Sequence, residues 1–367
     1  MKFTVNTKPL KSALSITIVD SNVSKFNQVS TLVQLTMSNT KLTINTEAVA
    51  IKSEVSIFGS GDGNASILID ALLFKKLIST INSTQIDIEF TDDAVILKTA
   101  SSSYSLPKIL DVSQANISRP VSLTPEDIEN AVESEKDSWK FIKSHQMYAV
   151  ATTDEYPVYR YVFVGENGDV LVGDFKSSIF THSTSKILNE DCLISESVVN
   201  LMNSVPDGAV ITKKSDCYVI YAKTDAFEYT SSFVPRYESD EFGNYNHDII
   251  IEVMSTFDKE HVTVNAQDII NVLNQAQILN NKLTKIDMSV NTDSILLSTD
   301  TMKSSIASDV TQKDSYKITM NPNSLRNVLS HCTDEKLEIY PSTNNGEIVG
   351  IIILSGKLSV VVAGAKE

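Results

Sequence analysis

One phrase recurs six times along the 367 residues. It opens with three to five residues of strand character, continues with a polar residue, and ends in eight to fifteen residues whose apolar side chains fall at helical spacing. The copies start at Lys2 (KFTVNTKPLKSALSI), Ser66 (SILIDALLFKKLIST), Pro120 (PVSLTPEDIENAVES), Asp191 (DCLISESVVNLMNSV), His261 (HVTVNAQDIINVLNQ) and Ser315 (SYKITMNPNSLRNVLS). Repetition constrains the fold more than any single motif, because each repeat has an apolar face that only its neighbours can bury.

The polar residues between strand and helix are Thr7, Asp70, Thr124, Ser195, Asn265 and Asn321. All are N-cap types, whose side-chain oxygen accepts from a free helix N–H. Pro9 and Pro125 fall near the first turn, where proline is tolerated. The predicted apolar faces use Leu72, Leu73, Leu77 and Ile78 in copy two, Ile269, Ile270, Leu273 and Ile278 in copy five, and Leu325, Val328 and Leu329 in copy six. One apolar face per helix means that each helix packs on a sheet. Strand patterns fill the rest: TQIDIEFTDDAVILKTASSSYSLPKI alternates polar and apolar about a TDD turn, and two later stretches repeat the scheme. Each unit therefore reads strand, helix, three strands, and the units pair into three domains, 1–118, 119–247 and 248–367. LDVSQANISRP (110–120) and PRYESDEFGNYNHD (235–248) read as the linkers.

The net charge of −15 is unevenly spread. Ten basic and ten acidic residues precede Ser118, eleven and twenty-one lie between Ser118 and His247, and ten and fifteen follow. An acidic chain can still meet nucleic acid if its cations share one surface. Cys192, Cys217 and Cys332 form no Cys-x-x-Cys pair and read as reduced core thiols. The five histidines show no metal-ligand spacing. GSGDG (59–63) lacks the Lys-Ser/Thr of a phosphate loop and reads as an inter-unit loop. No catalytic constellation, metal site or cofactor is expected. The N-terminus has no long apolar core, so the expectation is a cytoplasmic chain without a signal peptide.

With MKFTV at the start, SSYSLPKI (102–109), QAQILNNKLTKIDMSVNTDSILLST (275–299) and the ending KLSVVVAGAKE, this layout resembles the bacterial sliding clamp, the beta subunit of DNA polymerase III. The low aliphatic similarity points to a divergent member, of a kind a phage could encode. The resemblance implies an α+β chain of three similar domains, each two strand-helix-strands units (the DNA clamp fold), forming a ring with helices inside and sheets outside. It implies a head-to-tail homodimer that encircles duplex DNA without reading its sequence, has no enzymatic activity, and tethers the replicative polymerase after opening by a clamp loader. Twelve helices about 10 Å across would surround the DNA.

By position in the family, Lys8, Lys11, Lys25, Lys75, Lys76, Lys282 and Arg326 face the duplex, with Lys285 nearby. The expected third and fourth helices, TPEDIENAVES and SESVVNLMNS, offer no cation, which shifts the DNA contacts to the first and third domains. The partner-peptide pocket maps to Val162, Ile179, Val361, Val362, Ala363 and Ala365. The family's Thr-Asp-Gly-His-Arg and Met-Pro-Met-Arg-Leu are replaced there by DFKSS (174–178) and AGAKE. The dimer seam maps to Tyr104, Leu106, Ile278 and Leu279. Without the resemblance, these lysines are ordinary surface residues and these aliphatics plain core. A repetitive β-rich assembly protein without DNA binding is the alternative; a hydrolase with a scattered site is a second.

Overall fold

The computed structural model describes residues 1–17, 32–48, 51–109, 117–134, 136–146, 157–174, 179–184, 187–239, 243–244, 246–255, 260–310, 315–332, 334–344, 346–356 and 358–365. Copy one comprises β1 (Lys2–Asn6), α1 (Thr7–Thr17), β2 (Leu32–Met37), β3 (Lys41–Ala48) and β4 (Ile51–Phe58), followed by the short β5 (Ser60–Gly61). Copy two comprises β6 (Ala65–Asp70), α2 (Ala71–Thr80), β7 (Gln85–Phe90), β8 (Ala94–Lys98) and β9 (Ser103–Pro107). After a short helix, α3 (Pro125–Glu129), copy three comprises β10 (Val132–Glu133), α4 (Lys136–Gln146), β11 (Val162–Val164), β12 (Asp169–Asp174) and β13 (Ile179–Thr184). Copy four comprises β14 (Cys192–Ile194), α5 (Glu196–Ser204), β15 (Val210–Lys214), β16 (Cys217–Lys223) and β17 (Phe227–Phe233). A further helix, α6 (His247–Ser255), leads to copy five: β18 (Val262–Asn265), α7 (Ala266–Leu279), β19 (Ile286–Val290), β20 (Ser294–Ser298) and β21 (Lys303–Ala307). Beyond β22 (Asp309–Val310), copy six comprises β23 (Tyr316–Met320), α8 (Pro322–His331), β24 (Lys336–Asn344), β25 (Glu347–Ser355) and β26 (Leu358–Ala363).

A single rule orders the strands. In every copy the opening strand pairs, antiparallel, with the first strand after the helix of its partner copy. Thus β1 pairs β7, β6 pairs β2, β10 pairs β15, β14 pairs β11, β18 pairs β24 and β23 pairs β19. Copies therefore interlock as one with two, three with four, five with six. The described residues form two compact units, 1–139 with 195–236 and 140–194 with 237–367. The first holds a five-stranded sheet, β5-β1-β7-β8-β9, and an eight-stranded one, β10-β15-β16-β17-β4-β3-β2-β6. The second holds a nine-stranded sheet, β14-β11-β12-β13-β26-β25-β24-β18-β22, and a four-stranded one, β21-β20-β19-β23.

Copy three corrects the sequence reading. Its opening strand is the two-residue β10, not PVSL, and its full-length helix is α4, not TPEDIENAVES. The cap signals in TPED are real: Thr124 Oγ1 accepts from the Asp127 N–H at 3.2 Å, and Asp127 accepts from the Thr124 N–H at 2.7 Å. They start only the five-residue α3. A strand of two residues has no alternation to read, so the register slipped by one element. α4 buries Trp139 and Ile142, one turn apart, and the Asn203 amide of α5 donates to the Trp139 carbonyl at 3.0 Å.

Four other expected caps form as Asp70 to Leu73, Ser195 to Val198, Asn265 to Gln267, and Asn321 to Asn323 and Ser324. Thr7 differs: it is the first helical residue, and its buried hydroxyl has no partner among the described residues. Copy two rotates from its expected face, burying Ala71, Phe74 and Ile78 and exposing Leu73. In α7 the buried ridge is Ile269, Val272, Leu273 and Ala276, and Ile278 lies outside it. Copy six packs Leu325, Val328 and Leu329 as expected. The GSGDG segment folds over β1. A Cβ on Gly59 would lie 2.5 Å from the Thr4 carbonyl oxygen and 2.6 Å from the Phe3 ring, so only glycine fits. The second linker also departs from expectation, because it ends in α6 rather than continuing as coil.

The internal duplication leaves a chemical imprint. Asp87 on β7 accepts from Thr4 Oγ1 at 2.7 Å and pairs with Lys2 at 2.8 Å; Asp287 on β19 accepts from Thr319 Oγ1 at 2.7 Å and pairs with Lys317 at 2.7 Å. In each case the lysine contact, then the threonine hydroxyl, holds the carboxyl below its usual range.

Two predictions follow from this packing. Trp139→Ala should cost about 3–5 kcal/mol of unfolding free energy, the range for deleting a large buried aromatic, measured by urea titration. Asp127, held by Lys214 and then by Thr124, has its carboxyl lowered to about 2. A depressed carboxyl stabilises the fold above the unfolded value, about 3.9, and that stabilisation fades as pH falls toward the folded value. Asp127→Asn should therefore flatten the acid limb of the stability curve between these two pH values.

Candidate nucleic-acid and partner surfaces

The helices of the six copies pack against the sheets. α1 lies against β3, β4 and β17 and beside α2 and α5, and α7 lies beside α8. On α1, Lys8 is exposed, whereas Lys11 Nζ donates to the Ser79 carbonyl at 2.9 Å and ties α1 to the last turn of α2. Lys75 is half-buried and Lys76 exposed on α2. Arg326 of α8 donates to Gln277 of α7 and, at 3.3 Å, to Asn323, so its guanidinium spans the two helices. Lys282 and Lys285 are exposed beyond α7. Lys25 lies outside the described residues.

The corrected register adds cations that the sequence reading missed. α4 carries Lys136, Lys140 and Lys143 at i, i+4 and i+7, one stripe of a helix. Trp139 and Ile142 supply its buried side. Lys136 pairs with Asp207 at 2.9 Å; Lys140 and Lys143 are exposed. The third copy therefore presents a basic helix rather than an acidic one, and the lysine spacing around the single Trp was the available signal. α5 carries no Lys or Arg, as expected.

The residues mapped to a partner pocket separate by strand alternation. Val162 and Val362 are wholly buried, and Ile179 pairs with Val362 across the β13–β26 ladder. Val361 takes the opposite face, half-buried, and Ala363 and Ala365 are half-buried beyond it. The Ala365 N–H donates to the Thr319 carbonyl at 2.8 Å. Of DFKSS, only Asp174 is among the described residues. That opposite face is apolar as well. Ile351, Ile352 and Ile353 are consecutive and all fully buried, so both faces of the nine-stranded sheet are covered. On the second face Val158, Tyr159, Phe163, Leu171 and Leu193 form a buried cluster with Ile250 and Met254 of α6, and Val361 packs against it. The sequence reading included Val361 but not its neighbours in this cluster: Phe163 adjoins the mapped Val162, Val158 and Tyr159 lie just before it, Leu171 and Leu193 are on neighbouring strands, and Ile250 and Met254 are on the unforeseen helix.

The residues mapped to a dimer seam lie on β9 and at the end of α7, which runs against β21. β9 ends the five-stranded sheet and β21 the four-stranded one. On β9, Tyr104 is 37% exposed and Leu106 turns into its own core. α7 lies against β21 and ends in Ile278 and Leu279, which are 83% and 60% exposed. Two adjacent exposed aliphatic side chains therefore stand beside a strand that ends its sheet.

A separate cleft of about 500 Å³ opens in the first unit, with Ile51, Lys52, Val121, Cys217, Val234 and Arg236 among its walls. No cluster of three or more metal-ligating side chains occurs among the described residues, nor a helix long and apolar enough to cross a membrane. None of the three cysteines is in a disulfide; burial pushes the Cys332 thiol up to about 11.

No family model matches the sequence, and no curated protein does. Solved structures match over the full chain. A proposed DNA polymerase III beta subunit of Eubacterium rectale matches at 13% identity and a TM-score of 0.79, covering all of both chains. The beta subunit of Thermotoga maritima matches at 14% and 0.77, covering 100% of this chain and 99% of its own. The Helicobacter pylori beta clamp, solved with a DNA ligase peptide, matches at 14% and 0.73 over all of both chains. From end to end, the chain has the fold of the DNA polymerase III beta subunits, the DNA clamp fold.

Proposed function

We propose that this protein is a DNA sliding clamp: a non-enzymatic, cytoplasmic, homodimeric ring that encircles duplex DNA, is opened by a clamp loader and tethers the replicative polymerase. The three interlocked pairs of copies are its domains, 1–118, 119–247 and 248–367. One observation carries the reading. The last strand of copy one, β4, pairs with the last strand of copy four, β17; the last strand of copy three, β13, pairs with that of copy six, β26. The series one–four, three–six continues as five–eight, and the eighth copy is copy two of a second chain. The two strands left over are β21 of copy five and β9 of copy two, the open edges that carry Ile278, Leu279 and Tyr104. Joining them head to tail between two chains closes a ring of twelve copies and gives each copy's last strand a partner.

The helices then supply the sequence-blind cations. Lys8, Lys75, Lys76, Lys140 and Lys143 are the leading phosphate contacts, with Lys282 beyond α7, while Lys11 and Arg326 brace helix pairs. Weak attraction to phosphates suits a ring that holds by topology and slides.

The wild-type protein should scatter light as a particle of twice 40.3 kDa, whereas Ile278→Asp with Leu279→Asp should give a folded monomer, because a charge buried at a seam without a partner is costly. An unchanged mass in the double variant would place the seam elsewhere. Loaded on circular DNA the protein should stay bound and should run off when the circle is cut; release from intact circles would refute the ring. On short linear duplexes, Lys140→Glu with Lys143→Glu should make the log–log salt dependence shallower by about 1.8, two phosphate contacts at roughly 0.9 each.

A further inference from the structure

The two composite sheets share one strand order. β6-β2-β3-β4 meeting β17-β16-β15-β10 repeats as β14-β11-β12-β13 meeting β26-β25-β24-β18. Their outer faces differ. Across the β4–β17 seam, cross-strand partners place Thr43, Asn45, Glu54, Ser56, Glu228 and Thr230 on one face, all polar. At the equivalent β13–β26 seam the face is the apolar cluster around Phe163 and Val361, and α6 contacts both seam strands. The two seams thus differ in what lies on this face: largely polar residues at the first, an apolar cluster covered by α6 at the second.

α6 is a short cover. It has nine residues, short of the roughly 12–15 at which an isolated helix persists in water, so docking alone keeps it formed. Ile250 and Met254, one turn apart, enter the cluster with Ile251 beside them; Ile249 stays exposed. At its first residue the His247 ring stacks on Phe163, with centroids 4.8 Å apart, and lies 3.9 Å from Glu238 and 3.3 Å from Asp248.

We propose that α6 is an internal occupant of a partner-docking surface. Val158, Tyr159, Phe163, Leu171 and Val361 receive a short segment of a partner protein that presents two aliphatic side chains one helical turn apart, and that segment must displace α6. This rests on the clamp reading and adds to it a competition between the chain and its partners. Partner affinity is then cut by the fraction of time the surface stands open.

The test uses the full-length protein and, as probe, the labelled DNA ligase peptide of the Helicobacter pylori complex, read by fluorescence anisotropy. Ile250→Ser with Met254→Ser should tighten binding about tenfold, since a surface open a tenth of the time binds at a tenth of its affinity, and adding Val361→Asp should abolish it. In the wild type, peptide at saturation should speed amide exchange across 247–255. Equal or weaker binding by the loosened variant, binding by neither form, or unchanged or slower exchange in α6 would overturn the proposal. Should the variant not fold, the exchange measurement on the wild type decides. Dimer mass and retention on circular DNA involve no peptide, so failure of the clamp reading is recognised separately.

Discussion

A strand that ends a sheet leaves a row of N–H and C=O groups that must find partners or face water. The architecture follows from how this chain meets that demand at the last strand of each copy. β4 and β17 join through seven residue pairs, Ile51 to Phe233 at one end and Ile57 to Phe227 at the other. At this seam the Ser53 and Ser231 hydroxyls meet at 2.9 Å, and Ser231 also donates to the Lys52 carbonyl at 2.9 Å. Tyr229 is fully buried on the same strand, and burial pushes its phenol up to about 12. β13 and β26 meet through four pairs. Among the described last strands of the six copies, β9 and β21 are the two that end a sheet without such a match, and in the proposed ring they would continue the same pairing between two chains.

Much of this was legible in the sequence because the repeat carries its own punctuation. Asp70, Ser195, Asn265 and Asn321 cap the helices they were expected to cap, and the alternation from Gln85 to Pro107 became β7, β8 and β9. Two things were not legible. Copy three opens on two residues, too few to show a period, so its basic helix was taken for an acidic one. α6 hides in DIIIEVM, a run too short and too uniformly aliphatic for periodicity to separate strand from helix. Successive residues on a strand face opposite ways, so the mapped neighbours Val361 and Val362 turn to opposite faces of the sheet.

The charge distribution has a physical reading once the register is set. Acidic residues dominate between Ser118 and His247, yet α4 in that stretch shows three lysines on one stripe while α3 holds Glu126, Asp127 and Glu129. Net charge per segment therefore says little about which surface meets a polyanion. What counts is which side chains a helix turns away from its buried ridge, and Trp139 and Ile142 set that direction for α4.

The interlocking of copies has a consequence for biogenesis. β1 waits for β7 some eighty residues later, and β4 waits for β17, which lies more than 170 residues downstream. Closing such distant ladders is slow compared with forming local helices. As the polypeptide leaves the ribosome, the flank of β4 stays uncovered until synthesis has passed Phe233. A chain truncated before Phe227 would be left with a bare, adhesive border along β4.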